Sequence, residues 1–348
     1  MLSTETSTAV GTDLSQMKFD PELSPGAHNA VFVCLKVQPF EKVTLITDYA
    51  SLEIAASLAA ELRKTGCSFQ TFVLEDLAPR PLVDMPKEVL NDLETSQVSI
   101  FAVHAQANEL RTRMQMCEVV NRKKLRHGHM VNIEKKIMLE GMRADFDKVD
   151  ELTLRVMNIV KNARMIRAVT AAGTDVRAEL TPDYKWIKTS GLISCEKWGN
   201  LPGGETFTTP LEVNGTFVVD GVVGDYLCAK FGDLKNTPLT LTVEKNRLTS
   251  ASCVNKQLEE EFWNYTHRDE NSDRVGEFAI GTNLALKDVM GNILQDEKIP
   301  GIHMAFGDPY GSHTGAPWTS STHIDVVGRD FDIWADDRQI MSQGRFLV

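Results

Sequence analysis

"KVTLITDYASLEIAASLAAELRKTGCSFQTFVLED", residues 42–76, holds a strand, a helix and a second strand in succession. KVTLITD (42–48) is an apolar, β-branched run of strand length. SLEIAASLAAELRKTG (51–66) carries apolar residues at helical spacing and closes on Gly66, and SFQTFVLED opens the next strand. Downstream, PKEVLNDLE predicts a helix, VSIFAVH a strand, ANELRTRMQMCEVVNRKK a long helix and HMVNI a short strand. This alternation predicts βαβ units and a largely parallel sheet. Its strand-to-helix turns lack the glycine-rich phosphate fingerprint, so no dinucleotide site is assigned.

Upstream, Ser24 as N-cap and Pro25 at the first helical position predict a helix through AHNAVFVCLKV, preceded by a Ser/Thr-rich flexible extension over residues 1–23. A helix over about 134–163 leads out of the α/β region. From residue 166 onward the runs are short and β-rich: RAVTAAGTDVRAEL, GTFVVDG, PLTLTVEKNRL and THIDVVGRDFDIWADDRQI. The expected organisation is an α/β N-terminal domain over 24–165 and an α+β, β-rich C-terminal domain over 166–348.

The chain has 348 residues, 42% hydrophobic and 24% charged, with a net charge of −11. That balance is ordinary for a globular protein and opposes nucleic-acid binding, which needs a basic face to displace counterions. The N-terminus has neither a basic n-region nor an apolar h-region, and no apolar run approaches the ~18 residues of a membrane span. The six cysteines form no C-x-x-C pair. Reduced thiols in a cytoplasmic protein, with no membrane partner, are the expectation.

The chemistry is concentrated near the C-terminus. In THIDVV, His323 and Asp325 are two apart on an expected strand and project from one face about 6 to 7 Å apart. His303 lies in the apolar GIHMAF, where a buried imidazole needs a partner. Glu244 ends the polar face of PLTLTVEKN, and Glu277 is a lone acid in VGEFAIGTN. Any one of these alone reads as a core or solvated residue. Together, three carboxylates and two imidazoles suit two divalent ions sharing a bridging carboxylate and water, a set made for hydrolysis.

VEKN, VGEFAIGTN, GIHMAFGDPY and THIDVV, with the upstream NLPGGETFTTP (200–210), resemble the aminopeptidase T and aminopeptidase S family of thermophilic metalloproteases. The resemblance runs from about residue 25 to the C-terminus. It implies an α/β N-terminal domain, a C-terminal metal-binding catalytic domain and a homodimer that removes N-terminal residues from peptides or small amides with two divalent metals (zinc, cobalt or manganese). By matching motifs, Glu244, Glu277, His303, His323 and Asp325 are the expected ligands. Tyr310 matches the family's catalytic tyrosine, and Glu244 or Glu277 would shuttle the proton. Glu205, in NLPGGE, reads as structural. His127 and His129 read as caps of a sheet edge or helix, and His313 as at most substrate-facing.

The same fold is similar to that of the 2,5-dihydroxypyridine dioxygenases, which hold a single Fe(II) on two histidines and one carboxylate. The rival function is therefore a mononuclear ring-cleaving oxygenase with His303, His323 and Asp325 as a facial triad. Those enzymes look to have histidine where this chain has Glu277, which favours the hydrolase. A third reading, a metal site kept only for structure, is opposed by the crowding of buried acids that only a cation would relieve.

Overall fold

The computed structural model describes residues 11–106, 108–196 and 199–348. Two compact units emerge, the first ending at Arg143 and regaining Gly191–Pro202, the second made of Ala144–Ser190 and Gly203–Val348.

In the first unit, strands β1 (Lys42–Thr47), β2 (Ser68–Val73), β3 (Val98–Val103) and β4 (Arg126–Val131) form a parallel sheet in the order β2-β1-β3-β4, and Gly199–Asn200 adds a short fifth strand beside β4. Helix α1 (Leu52–Thr65) buries Ile54, Ala55, Leu58, Ala59 and Leu62. It stops at Gly66, whose φ of 78° is a left-handed conformation that favours glycine. Helix α2 spans Leu110–Lys123. These elements follow the sequence pattern because each buries an apolar face of the expected period. The helix expected from Ser24 is α-helical only to His28 and continues as a wider π-helical turn over Asn29–Cys34.

Residues 1–10 of the expected extension lie outside the described residues. In 11–23, the Thr12 amide donates to the Thr71 carbonyl at 2.7 Å, and Leu14 and Leu23 are buried. This portion packs on the first unit because it carries two leucines to bury.

The helix expected over 134–163 is broken. It runs Lys135–Leu139, passes through a 3-10 turn at Gly141–Arg143 and restarts as α3 (Phe146–Val160). The restart is set by Asp145, an N-cap whose carboxylate accepts the Lys148 amide. Leu152, Val156 and Val160 of α3 join the core of the second unit, so the expected junction at 165/166 lies inside that unit.

His127 and His129 sit on β4 with a strand on either side, so the expected place at a sheet edge is corrected. His127 Nδ1 meets Ser99 Oγ at 2.8 Å, and burial pushes His127 down to about 3. Above its ordinary value of 6.5 the imidazole is neutral whether the chain is folded or not. Below that, down to about 3, only the unfolded chain takes up the proton, so stability falls with falling pH by up to ~1.4 kcal/mol per unit. His127→Asn is expected to flatten this acid limb. Urea denaturation at pH 7 and pH 5 checks it: an unchanged pH difference in the variant would contradict the assignment.

The second unit contains two antiparallel sheets. An eight-stranded sheet runs from Arg247–Ser252 at one edge to Arg345–Phe346 at the other. A five-stranded sheet is built from β5 (Ile187–Thr189), β6 (Glu205–Thr208), β7 (Val275–Gly281), β8 (Gly301–Gly307) and β9 (His323–Val327), in the order β9-β8-β7-β6-β5. Phe278, Ile280, Ile302, Met304, Phe306, Ile324 and Val326 of the smaller sheet share a core cluster with Val213, Phe217, Leu239, Leu241 and Val243 of the larger. Among the described residues, no helix is long and apolar enough to cross a membrane. None of the six cysteines is in a disulfide.

Candidate metal centre

The face of the five-stranded sheet that does not enter the core carries the chemistry. Side chains alternate across a strand, so Ile302, Met304 and Phe306 point one way and His303, Ala305 and Gly307 the other. The register then aligns the polar groups: Glu277 and Asp325 flank Ala305 on its two neighbouring strands, His323 stands opposite Gly307, and Glu205 opposite Gly281. Alanine and glycine at the middle positions leave room for the longer acids and imidazoles beside them. A slip of one residue would turn the whole set into the core.

Four of the residues expected from sequence meet. His303 Nε2 lies 3.5 Å from Glu277 Oε1, and His323 Nε2 lies 3.8 Å from Glu277 Oε2 and 3.5 Å from Asp325 Oδ1. His323 Nδ1 meets the Asp308 carbonyl at 2.9 Å. That contact favours the tautomer with the proton on Nδ1 and leaves Nε2 a lone pair, the arrangement by which histidine ligates a metal. His303 Nε2 is buried without a hydrogen-bond partner. An unpartnered buried imidazole nitrogen with carboxylate oxygens 3.4 to 3.5 Å away fits a cation site, since ligand atoms about 2.1 Å from one ion stand roughly 3 to 3.5 Å apart.

Glu244 is not brought to this cluster. It ends a strand of the larger sheet, is exposed and pairs in register with Arg247. Its polar-face alternation was legible, but alternation does not say which sheet a strand joins. Glu205, expected to be structural, stands instead where Glu244 was expected, which corrects that reading: Oε2 is 3.4 Å from His303 Nε2, and Oε1 accepts the Thr189 hydroxyl at 2.7 Å. The turn before it brings Gly204 against Asn283 at φ 131°, where an added Cβ would stand 2.7 Å from the Asn283 Cβ. Glu297, which sequence reasoning missed, completes the set. Glu205, Glu277 and His303 form one grouping able to hold an ion, and Glu297, His303 and Asp325 form another.

Electrostatics follow from crowding four acids. Burial raises Glu277 above the usual carboxylate range, and burial likewise pushes Glu297 up to about 8. Burial opposes protonation of His323, but Asp325 and Glu277 outweigh it and push His323 up to about 10. Tyr310 stands beside the cluster with its ring centroid 4.6 Å from that of His323. Its φ of 49° is a strained conformation for a tyrosine, and it stays partly exposed. His313 follows on a short helix, Gly311–Thr314, and is exposed.

The two carboxylates that were candidates from sequence can be separated experimentally. Glu277→Gln is expected to weaken binding of a divalent ion by on the order of 100-fold, whereas Glu244→Gln should change it by no more than about twofold, as for an exposed surface residue. Calorimetric titration with Zn2+ or Mn2+ measures both, and equal losses would contradict the placement of Glu244.

The family profile of the thermophilic metalloproteases (M29) matches residues 143–330, more than half of the chain, and the chain belongs to that metalloprotease family. Among solved structures, it is similar to wild-type AmpT from Thermus thermophilus, with 16% identity, a TM-score of 0.71, and coverage of 94% of this chain and 99% of that one. It is also similar to a 2,5-dihydroxypyridine dioxygenase from Pseudomonas putida KT2440, with 15% identity, a TM-score of 0.69, and coverage of 97% and 98%. At these identities the likeness is one of fold. No curated protein matches the chain.

Proposed function

We propose that the chain is a metal-dependent, aminopeptidase-like hydrolase that removes N-terminal residues from peptides or cleaves small amides. The observation that carries this reading is Glu277, a second carboxylate set 3.5 Å from His303 and 3.8 Å from His323. A facial triad of two histidines and one carboxylate keeps positions open for oxygen, whereas here Glu277 adds a further carboxylate against both imidazoles. The oxygenase is the second reading because Asp325 lies 3.5 Å from His323 and groups with His303, and the fold is similar to that of the Pseudomonas enzyme.

A divalent ion held by Glu277, His303, His323 and Asp325, with zinc, cobalt or manganese suited to that donor set, would lower the pKa of a bound water and polarise the scissile carbonyl. The chain's own residues supply the remainder. The Asp308 carbonyl fixes the ring of His323. A carboxylate beside that ligand set, Glu205 or Glu297, would take the proton from the attacking water and return it to the leaving amine. Tyr310, against His323, donates its phenol to the oxyanion that forms. The acidic cluster suits a substrate with a free α-ammonium. The setting we propose is a cytoplasmic homodimer, supported by the family resemblance and six cysteines outside any disulfide.

Rates on aminoacyl amides and short peptides with free amines, compared with N-acetylated counterparts, test the reading. Turnover of the free amines at least 100-fold above the acetylated forms is expected. Equal turnover of both would remove the exopeptidase assignment.

A further inference from the structure

Lys298 stands among the acids of the candidate centre. Its side chain is 1% exposed, and its ammonium contacts Glu205 Oε2 at 2.9 Å and the carboxylate of Glu297. The backbone around it is fixed: the Lys298 amide donates to the Gln295 carbonyl at 2.9 Å, and the Lys298 carbonyl accepts the Asn283 amide at 3.0 Å. Just before it, the carboxylate of Asp296 accepts the amides of Met290, Gly291 and Asn292, tying the approach segment to one conformation. The ammonium is thus held where it is by backbone and by charge.

Its two partners belong to different halves of the cluster. Glu205 is a member of the grouping with Glu277 and His303, and Glu297 of the grouping with His303 and Asp325. Lysine is a compact point charge with three donors and no acceptor, so it compensates carboxylates but cannot serve as a ligand while charged. By taking one acid from each grouping, it leaves Glu277, His303, His323 and Asp325 as a single connected donor set.

We propose that Lys298 is an internal cation standing in the place of one of the two ions that so acidic a centre would otherwise take up, so that the chain binds one divalent ion. This deepens the metal-dependent reading above, rests on it, and replaces the two-ion expectation drawn from sequence. Lys298 acts here as a positioning residue, setting the number and place of the metal through Glu205 and Glu297.

The test is the metal count on the full chain, stripped of metal and titrated with Zn2+ by calorimetry and with Mn2+ by electron paramagnetic resonance. Wild type is expected to bind one ion per chain with the six-line spectrum of an isolated Mn2+. Lys298→Met is expected to bind two, with a spin-coupled spectrum, and Lys298→Arg, which keeps the charge, to remain at one. Two ions in wild type, or one in folded Lys298→Met, would overturn the proposal. Should Lys298→Met fail to fold, the wild-type count and spectrum decide alone. No ion on wild type would overturn the metal-dependent reading itself, and this inference with it.

Discussion

Asp325→Ala is expected to lower kcat/KM for aminoacyl amides by at least ~100-fold, about 3 kcal/mol of transition-state stabilisation. Asp325 is the carboxylate nearest His323 and one of the acids gathered round His303. Removing it takes away a charged donor and the partner that orients an imidazole. Its effect on folding should run the same way. In metal-free protein burial disfavours the Asp325 carboxylate, but His323 outweighs this and holds it below its ordinary value, so deleting it breaks that pair and lowers stability. In the metal-loaded protein the variant loses the stabilisation that a tightly bound ion gives the native state. Thermal melts with and without Zn2+, alongside kcat/KM, separate these effects. Full activity in the variant would remove Asp325 from the site.

Lys298→Met is expected to destabilise the metal-free protein by about 3–5 kcal/mol, the cost of breaking a buried ion pair and leaving its acids uncompensated. Two carboxylates depend on this one ammonium, Glu205 and Glu297, and the lysine itself is out of contact with water. Urea denaturation of metal-free wild type and variant reads the difference. A loss under about 1 kcal/mol would mean that the acids take up protons instead of repelling, and that Lys298 holds little of the charge. Adding Zn2+ should recover more stability in the variant than in wild type.

The parallel sheet was legible because strand and helix periods alternate cleanly from residue 42 to 131, and each element buries the face its pattern predicts. The break at 140–145 is also written locally, in Gly141 and the N-cap Asp145, though the apolar periodicity on either side reads as one longer helix. His323 and Asp325 were legible for the same reason as the sheet: two residues apart on one strand face is a local fact. Glu205, Glu297 and Lys298 were not, because what joins them is register between strands far apart in sequence. Glu205 reaches the cluster through its pairing opposite Gly281, and Glu297 and Lys298 through the approach to β8. A sequence shows that Glu244 lies on a polar face but not that its strand lies in the larger sheet. The signal available for Glu205 was an acid placed directly after two glycines, which permit a tight turn.

The most direct test of the metal-dependent hydrolase is a single preparation, stripped by chelation and reconstituted with one equivalent of Zn2+, Co2+, Mn2+ or anaerobic Fe2+. Aminoacyl-amide hydrolysis is followed in one arm and oxygen uptake with 2,5-dihydroxypyridine in the other. The account predicts that hydrolysis is lost on stripping and restored on adding metal, with no oxygen consumed. Oxygen uptake by the iron form without amide hydrolysis, or hydrolysis that survives stripping, would contradict it.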